Sequence, residues 1–357
     1  MIRYIIYSLK LRPHLFFLSI FYLSSSHSLA QQSDATGLLS SPTPGSSKYV
    51  DVKIYNEYRP VKENVLIAVA GDSAAWPNKK RIYIITAVNI AGYGGSLIAL
   101  NQAWYAHYPR SSFHFFNDDK EWLQVDKIGH GWTAYNTGRL STAMWRWAGL
   151  SEKKAALIGG LSGTAYLTVI EILDGFSSQW GFSWGDMTAN LVGSGLFISQ
   201  ELLWQEQRIQ YKFSFHRNTY DNPMLDKRAD DLFGNSWYER MLKDYNAQAY
   251  WLSANLKSFF KESNLPAWLN VAVGYGADGM FGGFENKWTD PQGNEITRYD
   301  ISRKRQFYIA PDIDFTKIKT NKKWLKTVFS FLNAFKCPAP ALMLDSKGKF
   351  KVYAIYF

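Results

Sequence analysis

The pattern of hydrophobic and polar positions predicts helices in the first half of the chain. Residues 82–108 contain no Asp, Glu, Lys or Arg, and this is the longest uncharged run. The run is long enough to cross a bilayer, while its glycines and amides also suit a helix buried among other helices. It therefore predicts a helix that either contacts a membrane or lies at the centre of a bundle, and we favour membrane contact.

Three further helices are predicted after this run, at Asp126–Trp147, Ser151–Asp174 and Ser183–Gln207. Ser151 is a residue type that often caps a helix N-terminus. The second helix contains Gly159-Gly160-Leu161-Ser162-Gly163, which has poor intrinsic helix propensity and therefore predicts close contact with another helix. The expected fold class is mainly α, with a bundle of Gly-rich helices at residues 51–208.

Residues 209–357 are mixed in character and predict a smaller α/β region. Residues 211–235 are interpreted as a loop and 237–260 as one or two amphipathic helices. The pattern of apolar residues predicts strands at Trp268–Tyr275, Gln306–Phe315 and Lys349–Phe357. A helix is predicted at Trp324–Phe335, and the prolines after residue 337 end it. The last strand ends in Phe357 as that of an outer-membrane barrel does, but too few alternating segments precede it for a whole barrel.

The N-terminal segment predicts export from the cytoplasm. Residues 1–30 have a basic start, the apolar run Leu15–Leu23 and small residues up to Ala30, as in a secretory signal peptide. An uncleaved anchor is the alternative, although the apolar run is short for a spanning helix. Residues 31–50 are rich in Ser, Thr, Pro and Gly and are interpreted as a flexible linker.

Composition favours an envelope protein that contacts lipid. The formal net charge is +10, and aromatic residues make up 17% of the chain. A basic surface can contact anionic head groups, and aromatic rings suit membrane interfaces, whereas nucleic acid is disfavoured by the export signal. Cys337 is the single cysteine, so we expect no internal disulfide, no thiolate metal cluster and no lipid attached to an N-terminal cysteine.

Polar residues lie at helical spacing inside the predicted bundle. Asp126 and His130 share a helix face with Lys127 beside them, and Glu171 and Asp174 share another. In the next helix Ser183 and Asp186 form a capping pattern, and the face continues to Asn190. Antiparallel packing of the three helices predicts that these groups meet in one pocket.

Three kinds of chemistry fit this set, and the sequence leaves them open. A divalent metal is one possible cofactor, with His130, Asp126, Glu171 and Asp186 as its ligands. Together with Lys127 and Asp174, the same groups are candidates for acid–base catalysis, with a carboxylate that orients His130. The third interpretation is a static buried network in which Lys127 pairs with Glu171 or Asp174.

These motifs resemble a known family. The pattern D-K-x-x-H, a later E-x-x-D and then W-G-D-M-x-A-N-x-x-G is similar to that of the YfiM-like predicted periplasmic lipoproteins, a domain of unknown function, and more distantly to that of the VanZ-like membrane proteins. The resemblance covers residues 120–205, and its positions are Asp126, Lys127, His130, Glu171, Asp174, Ser183, Asp186, Asn190 and Gly193. It implies the cell envelope and no established activity. The chain departs from the lipoprotein pattern in lacking the lipid-bearing cysteine.

The leading functional hypothesis is a membrane-associated periplasmic protein, expected at the outer membrane. It would bind or organise a lipid- or glycan-type amphiphile, or an envelope protein partner. The alternative is a hydrolase or transferase in which His130 is the base or a metal ligand, Asp126 orients it, and Glu171, Asp174 and Asp186 are acids or ligands. A structural scaffold with a static polar network is the third hypothesis.

Overall fold

The computed structural model describes residues 78–101, 109–290 and 292–357. The predicted signal segment at residues 1–30 and the predicted linker at 31–50 lie outside the described residues.

Four long helices form the first half of the described chain. They are α1 (Lys79–Leu100), α2 (Val125–Trp147), α3 (Glu152–Gly175) and α4 (Trp184–Trp204). Helix α2 packs along both α3 and α4, and these two also pack on each other. The three helices predicted after the uncharged run are therefore confirmed, with ends that differ by three residues or fewer.

Glycines let the backbones of these helices approach closely. A Cβ atom on Gly193 of α4 would overlap the carbonyl oxygen of Gly131 in α2 and lie 2.8 Å from its carbonyl carbon. A Cβ atom on Gly163 of α3 would lie 2.5 Å from the carbonyl oxygen of Ala134 in α2. The poor helix propensity of Gly159–Gly163 predicted close contact with another helix, and the small residues permit this contact.

A six-stranded antiparallel sheet dominates the second half. Its strand order is β1-β2-β3-β6-β7-β8, and β4 and β5 form a separate two-stranded sheet. The strands are β1 (Ile209–Phe215), β2 (Gln248–Asn255), β3 (Leu269–Asp278), β4 (Lys287–Thr289), β5 (Glu295–Thr297), β6 (Lys304–Ile313), β7 (Ala339–Asp345) and β8 (Phe350–Tyr356). The shorter helices are α5 (Pro223–Phe233), α6 (Trp237–Lys243), α7 (Leu256–Phe259) and α8 (Lys323–Leu332).

The predicted mainly α fold is wrong, because this sheet occupies most of the C-terminal region. The predicted loop at 211–235 contains most of β1 and all of α5, and the predicted helices at 237–260 consist of α6, strand β2 and the short helix α7. The cause lies in β1, whose buried side chains include Gln210, Lys212 and Ser214. Because these buried positions are polar, β1 lacks the alternation of apolar and polar residues that predicts a strand. The three strands and the helix predicted after Pro266 are confirmed as β3, β6, β8 and α8.

The sheet is strongly curled, and its interior holds both polar and apolar side chains. Strands β1 and β6 are three strand spacings apart, about 14 Å in a flat sheet, yet Lys212 of β1 lies 2.8 Å from Asp312 of β6. The ring of His216, just after β1, lies 5.3 Å from that of Tyr356 in β8. The outer edge of β1 also bonds to the chain before β7, from Phe213 to Ala334 and from Lys336 to Phe213. One sheet face is therefore enclosed, and it carries the buried pair Lys212–Asp312 beside an apolar cluster that includes Trp251 and Tyr308.

Apolar side chains cover much of the outside of both halves. On the sheet the exposed side chains include Val273, Phe307, Ile309, Leu342, Leu344, Phe350 and Val352. On α3 and α4 they include Leu157, Leu161, Ile172, Leu191, Val192 and Leu203. Helices α1 and α3 are long and apolar enough to cross a membrane, a test that buried core helices also pass. Monomeric soluble proteins rarely expose so much apolar surface.

Candidate functional site

The first part of the site is fixed by an unusual turn before α2. Trp122, Leu123 and Gln124 all have positive φ angles, of 46°, 50° and 65°. Left-handed backbone at non-glycine residues is unfavourable, so surrounding contacts must hold it. The backbone N–H of Trp122 donates to the carbonyl of Gly283, and the hydroxyl of Tyr275 in β3 donates to the carbonyl of Leu123. The C-terminal sheet therefore fixes the start of α2.

The second part is the N-terminus of α4, where Ser183 is the cap. Its hydroxyl accepts from the backbone N–H of Asp186 at 3.1 Å and donates to Asp118 at 2.5 Å. Its own backbone N–H donates to Oε2 of Glu171 at 3.2 Å. The predicted cap is confirmed. Through it Ser183 connects the start of α4 with the end of α3 and with the segment that contains Asp118.

Lys127 lies among carboxylates. Its Nζ atom is 2.8 Å from Asp118, 3.0 Å from Asp186 and 3.9 Å from Asp126. Burial lowers the pKa of Lys127, but the charges of Asp186, Asp126 and Asp118 outweigh it and raise the pKa above its ordinary value. The predicted static pairing with Glu171 or Asp174 is thus not the one observed.

His130 is held at one ring nitrogen. Its Nδ1 lies 3.2 Å from Oδ1 of Asn190 and 3.7 Å from Oε1 of Glu171. Because an amide oxygen only accepts, Nδ1 is the donor. Burial lowers the pKa of His130, but Asp186, Asp126 and Glu171 outweigh it and raise the pKa to about 9.

The acids beside His130 complete the arrangement. Ligand atoms of Asp126, His130 and Asp186 all lie within 4.8 Å of one another. The hydroxyl of Tyr245 donates to Oδ1 of Asp126 at 2.8 Å. Burial raises the pKa of Asp186 to about 7, although His130 and Lys127 act in the opposite direction.

The structure thus brings together most of the predicted site residues. We call this group the polar centre, which consists of Asp118, Asp126, Lys127, His130, Glu171, Ser183, Asp186, Asn190 and Tyr245. Asp174 lies outside it and acts on Glu171 through its charge. Gly193 packs against the backbone of Gly131.

Sequence reasoning missed two members of the polar centre. Asp118 lies in an irregular segment, and Tyr245 lies between α6 and β2, so neither has a helical spacing to the others. The acidic run Asn117-Asp118-Asp119 was the only available signal for Asp118, and none existed for Tyr245.

An aromatic rim borders the polar centre. We define it as Phe113, Phe115, Phe116, Phe176 and Trp184, all of which are exposed. The rings of Phe115 and Trp184 are stacked, with centroids 6.0 Å apart, and are 60% and 66% exposed. Since Trp184 follows Ser183 directly, the rim adjoins the cap of α4. The exposed rings therefore lie beside a polar centre whose side chains are mostly buried.

Comparison with known proteins supports the compartment. Residues 114–200, about a quarter of the chain, match the model of a family described as predicted periplasmic lipoprotein (DUF2279), whose function is unknown. No curated protein and no solved structure matches the chain. The match supports export to the periplasm, while the finer resemblance to YfiM-like and VanZ-like proteins stays a prediction.

Proposed function

We propose that the protein is a membrane-associated envelope protein that binds an amphiphile, with the head group at the polar centre. The observation that carries the proposal is the position of the exposed aromatic rim directly beside this centre, at the cap of α4. Aromatic side chains with a polar neighbour are typical of membrane interfaces. The apolar outer faces of α3, α4 and the curled sheet support lipid contact.

The chemistry of the polar centre favours a hydroxyl-rich head group. Carboxylates accept hydrogen bonds from sugar hydroxyls, and of the four in the centre, those of Asp118, Asp126, Glu171 and Asp186, the carboxylate of Asp126 is the most exposed, at 21%. An anionic head group alone would meet repulsion from the same carboxylates. A glycan-type amphiphile, with its sugar at the centre and its chains along the rim, therefore fits best.

Vesicle co-sedimentation of the full chain tests this proposal. Vesicles of phosphatidylethanolamine, with and without a glycosyl diacylglycerol, are mixed with wild-type protein, with the double variant Phe115→Ala/Trp184→Ala, or with the control Tyr299→Ala. Tyr299 is 92% exposed and lies outside the rim. We expect the glycolipid to strengthen wild-type binding, and the double variant to bind roughly tenfold or more weakly because two rings no longer bury apolar area.

Two results would overturn the proposal. One is equal wild-type binding to vesicles with and without the glycolipid. The other is a double variant that binds as well as Tyr299→Ala does.

A second candidate, a hydrolase or transferase that acts on the same amphiphile, is favoured by the geometry of His130. Asn190 and Glu171 orient its Nδ1, which fixes the direction of the other ring nitrogen. Because its pKa is raised to about 9, His130 is protonated at neutral pH and would donate a proton there as a general acid. Release of the sugar from the glycolipid, followed by mass spectrometry, tests this function. Wild-type turnover that is lost in His130→Ala and Glu171→Gln, with folding retained, supports it. Absence of turnover by the wild-type protein refutes it.

A further inference from the structure

We propose that Asp126, His130 and Asp186 form a binding site for one divalent cation, best suited to Zn²⁺. The site goes beyond amphiphile binding and does not depend on it. One imidazole and two carboxylates are a common kind of zinc ligand set, and three protein ligands leave a fourth position open.

The distances allow such an ion with small side-chain movements. Donor atoms around a tetrahedral zinc ion lie about 3.3 Å apart, since each is about 2.0–2.1 Å from the metal. The three ligand atoms already lie within 4.8 Å of one another. Each must therefore move by only about 1 Å, which rotation of a carboxylate or an imidazole supplies.

Each ligand is also oriented by a partner on its other side. Tyr245 holds Oδ1 of Asp126, and Lys127 holds Oδ1 of Asp186 at 3.0 Å, so one oxygen of each carboxylate is left for the ion. Asn190 accepts from Nδ1 of His130, so in the neutral imidazole the other ring nitrogen is the one that can ligate an ion. Partners of this kind are the usual outer shell of a metal site.

A second observation points to the same site. Oε1 of Glu171 and Nδ2 of Asn190 are buried and lack a hydrogen-bond partner among the described residues, and Glu171 is 1% exposed. Oε1 of Glu171 lies 3.7 Å from Nδ1 of His130. A ring that donates from Nδ1 while its other nitrogen binds a cation would give this oxygen a charge-assisted partner.

Charge balance favours an added cation. Four carboxylates surround one ammonium, that of Lys127, and one imidazole within the polar centre. Acidic groups therefore outnumber basic groups in this buried cluster, and a bound divalent cation would supply positive charge beside them.

Metal binding to the full chain tests the inference without any amphiphile. Chelator-stripped protein is titrated with Zn²⁺ by calorimetry, and with Co²⁺ while the visible absorption of the ion is recorded. We expect one ion per chain and a cobalt spectrum typical of nitrogen and oxygen ligands. His130→Gln should abolish both signals. Tyr245→Phe, which removes only the hydroxyl on Asp126, should weaken Zn²⁺ binding by about 10–100-fold.

Controls separate the site from folding and from other surface acids. The exposed Glu262 replaced by Gln should leave the affinity unchanged, and circular dichroism checks that each variant is folded. The inference is wrong if wild-type protein binds neither ion, or if Asp126→Asn or Tyr245→Phe binds Zn²⁺ as tightly as the wild type. Vesicle binding is measured separately, so a failure of the metal site and a failure of the proposed function give different results.

Discussion

Replacing Gly193 by alanine tests the close helix packing on which the polar centre depends. The new Cβ atom would overlap the carbonyl oxygen of Gly131 and lie 2.8 and 2.9 Å from its carbonyl carbon and Cα atom. Carbon atoms in contact prefer separations of about 3.5–4.0 Å. Because the obstructing atoms are backbone, α2 and α4 must separate by about 1 Å. Asn190 of α4 would then move away from His130 of α2.

The size of the effect follows from two opposing contributions. Alanine is favoured over glycine in a helix by about 1 kcal/mol, whereas overpacking a tight contact costs about 1–3 kcal/mol or more. Gly195 lies on the same helix, and a Cβ atom there would meet nothing within 4 Å. We expect Gly193→Ala to lower the free energy of unfolding by up to about 2 kcal/mol and Gly195→Ala to raise it by up to about 1 kcal/mol.

Urea unfolding followed by circular dichroism measures both variants against the wild type. The two alanine variants should differ by the overpacking cost, roughly 1–3 kcal/mol, because the gain in helix propensity is common to both. Zn²⁺ titration of the same proteins reports whether the polar centre has moved, and Gly193→Ala should bind more weakly than Gly195→Ala. The packing argument is refuted if Gly193→Ala is as stable as Gly195→Ala.

Two further predictions concern a cap and a buried ion pair. Ser183→Ala removes the side-chain cap of α4 and should lower the free energy of unfolding, measured with urea, by about 1–2 kcal/mol. Ser151→Ala should have a smaller effect, because Ser151 caps α3 without a side-chain hydrogen bond. Equal losses of stability in the two variants would contradict this. Asp312→Asn should destabilise the protein by roughly 3–5 kcal/mol, because it leaves the ammonium of the fully buried Lys212 without its charged partner. A melting temperature like that of the wild type would show that the curled sheet does not enclose this pair.

The helices could be predicted from the sequence because their signals are local. The capping pattern at Ser183 and the small residues from Gly159 to Gly163 each report on a few neighbouring positions. The first two strands could not be predicted in this way. Strand β1 buries Lys212 and Gln210, whose partners Asp312 and Asp314 lie about a hundred residues later. Nothing in the local pattern indicates that a lysine is buried when its partner is so distant.

Only the part of the polar centre that depends on local spacing could be predicted from the sequence. Asp126 and His130 lie on one helical turn, so their proximity follows from helix geometry. The partner of Lys127 does not, because the charges nearest to it come from Asp118 in an irregular segment and from the start of α4. Helical spacing shows which groups share a face, but only the packing of the helices decides which faces meet.

The C-terminal region is part of the candidate site rather than an addition to it. The family match ends at residue 200, yet Tyr245 binds Asp126, and the hydroxyl of Tyr211 donates to the carbonyl of Ile128 at 2.8 Å. Tyr275 holds the left-handed turn before α2. Because an unfavourable backbone persists only when its surroundings fix it, loss of the sheet would release this turn and displace Asp126. The helices therefore carry most of the chemical groups, and the curled sheet sets the geometry in which those groups can act together.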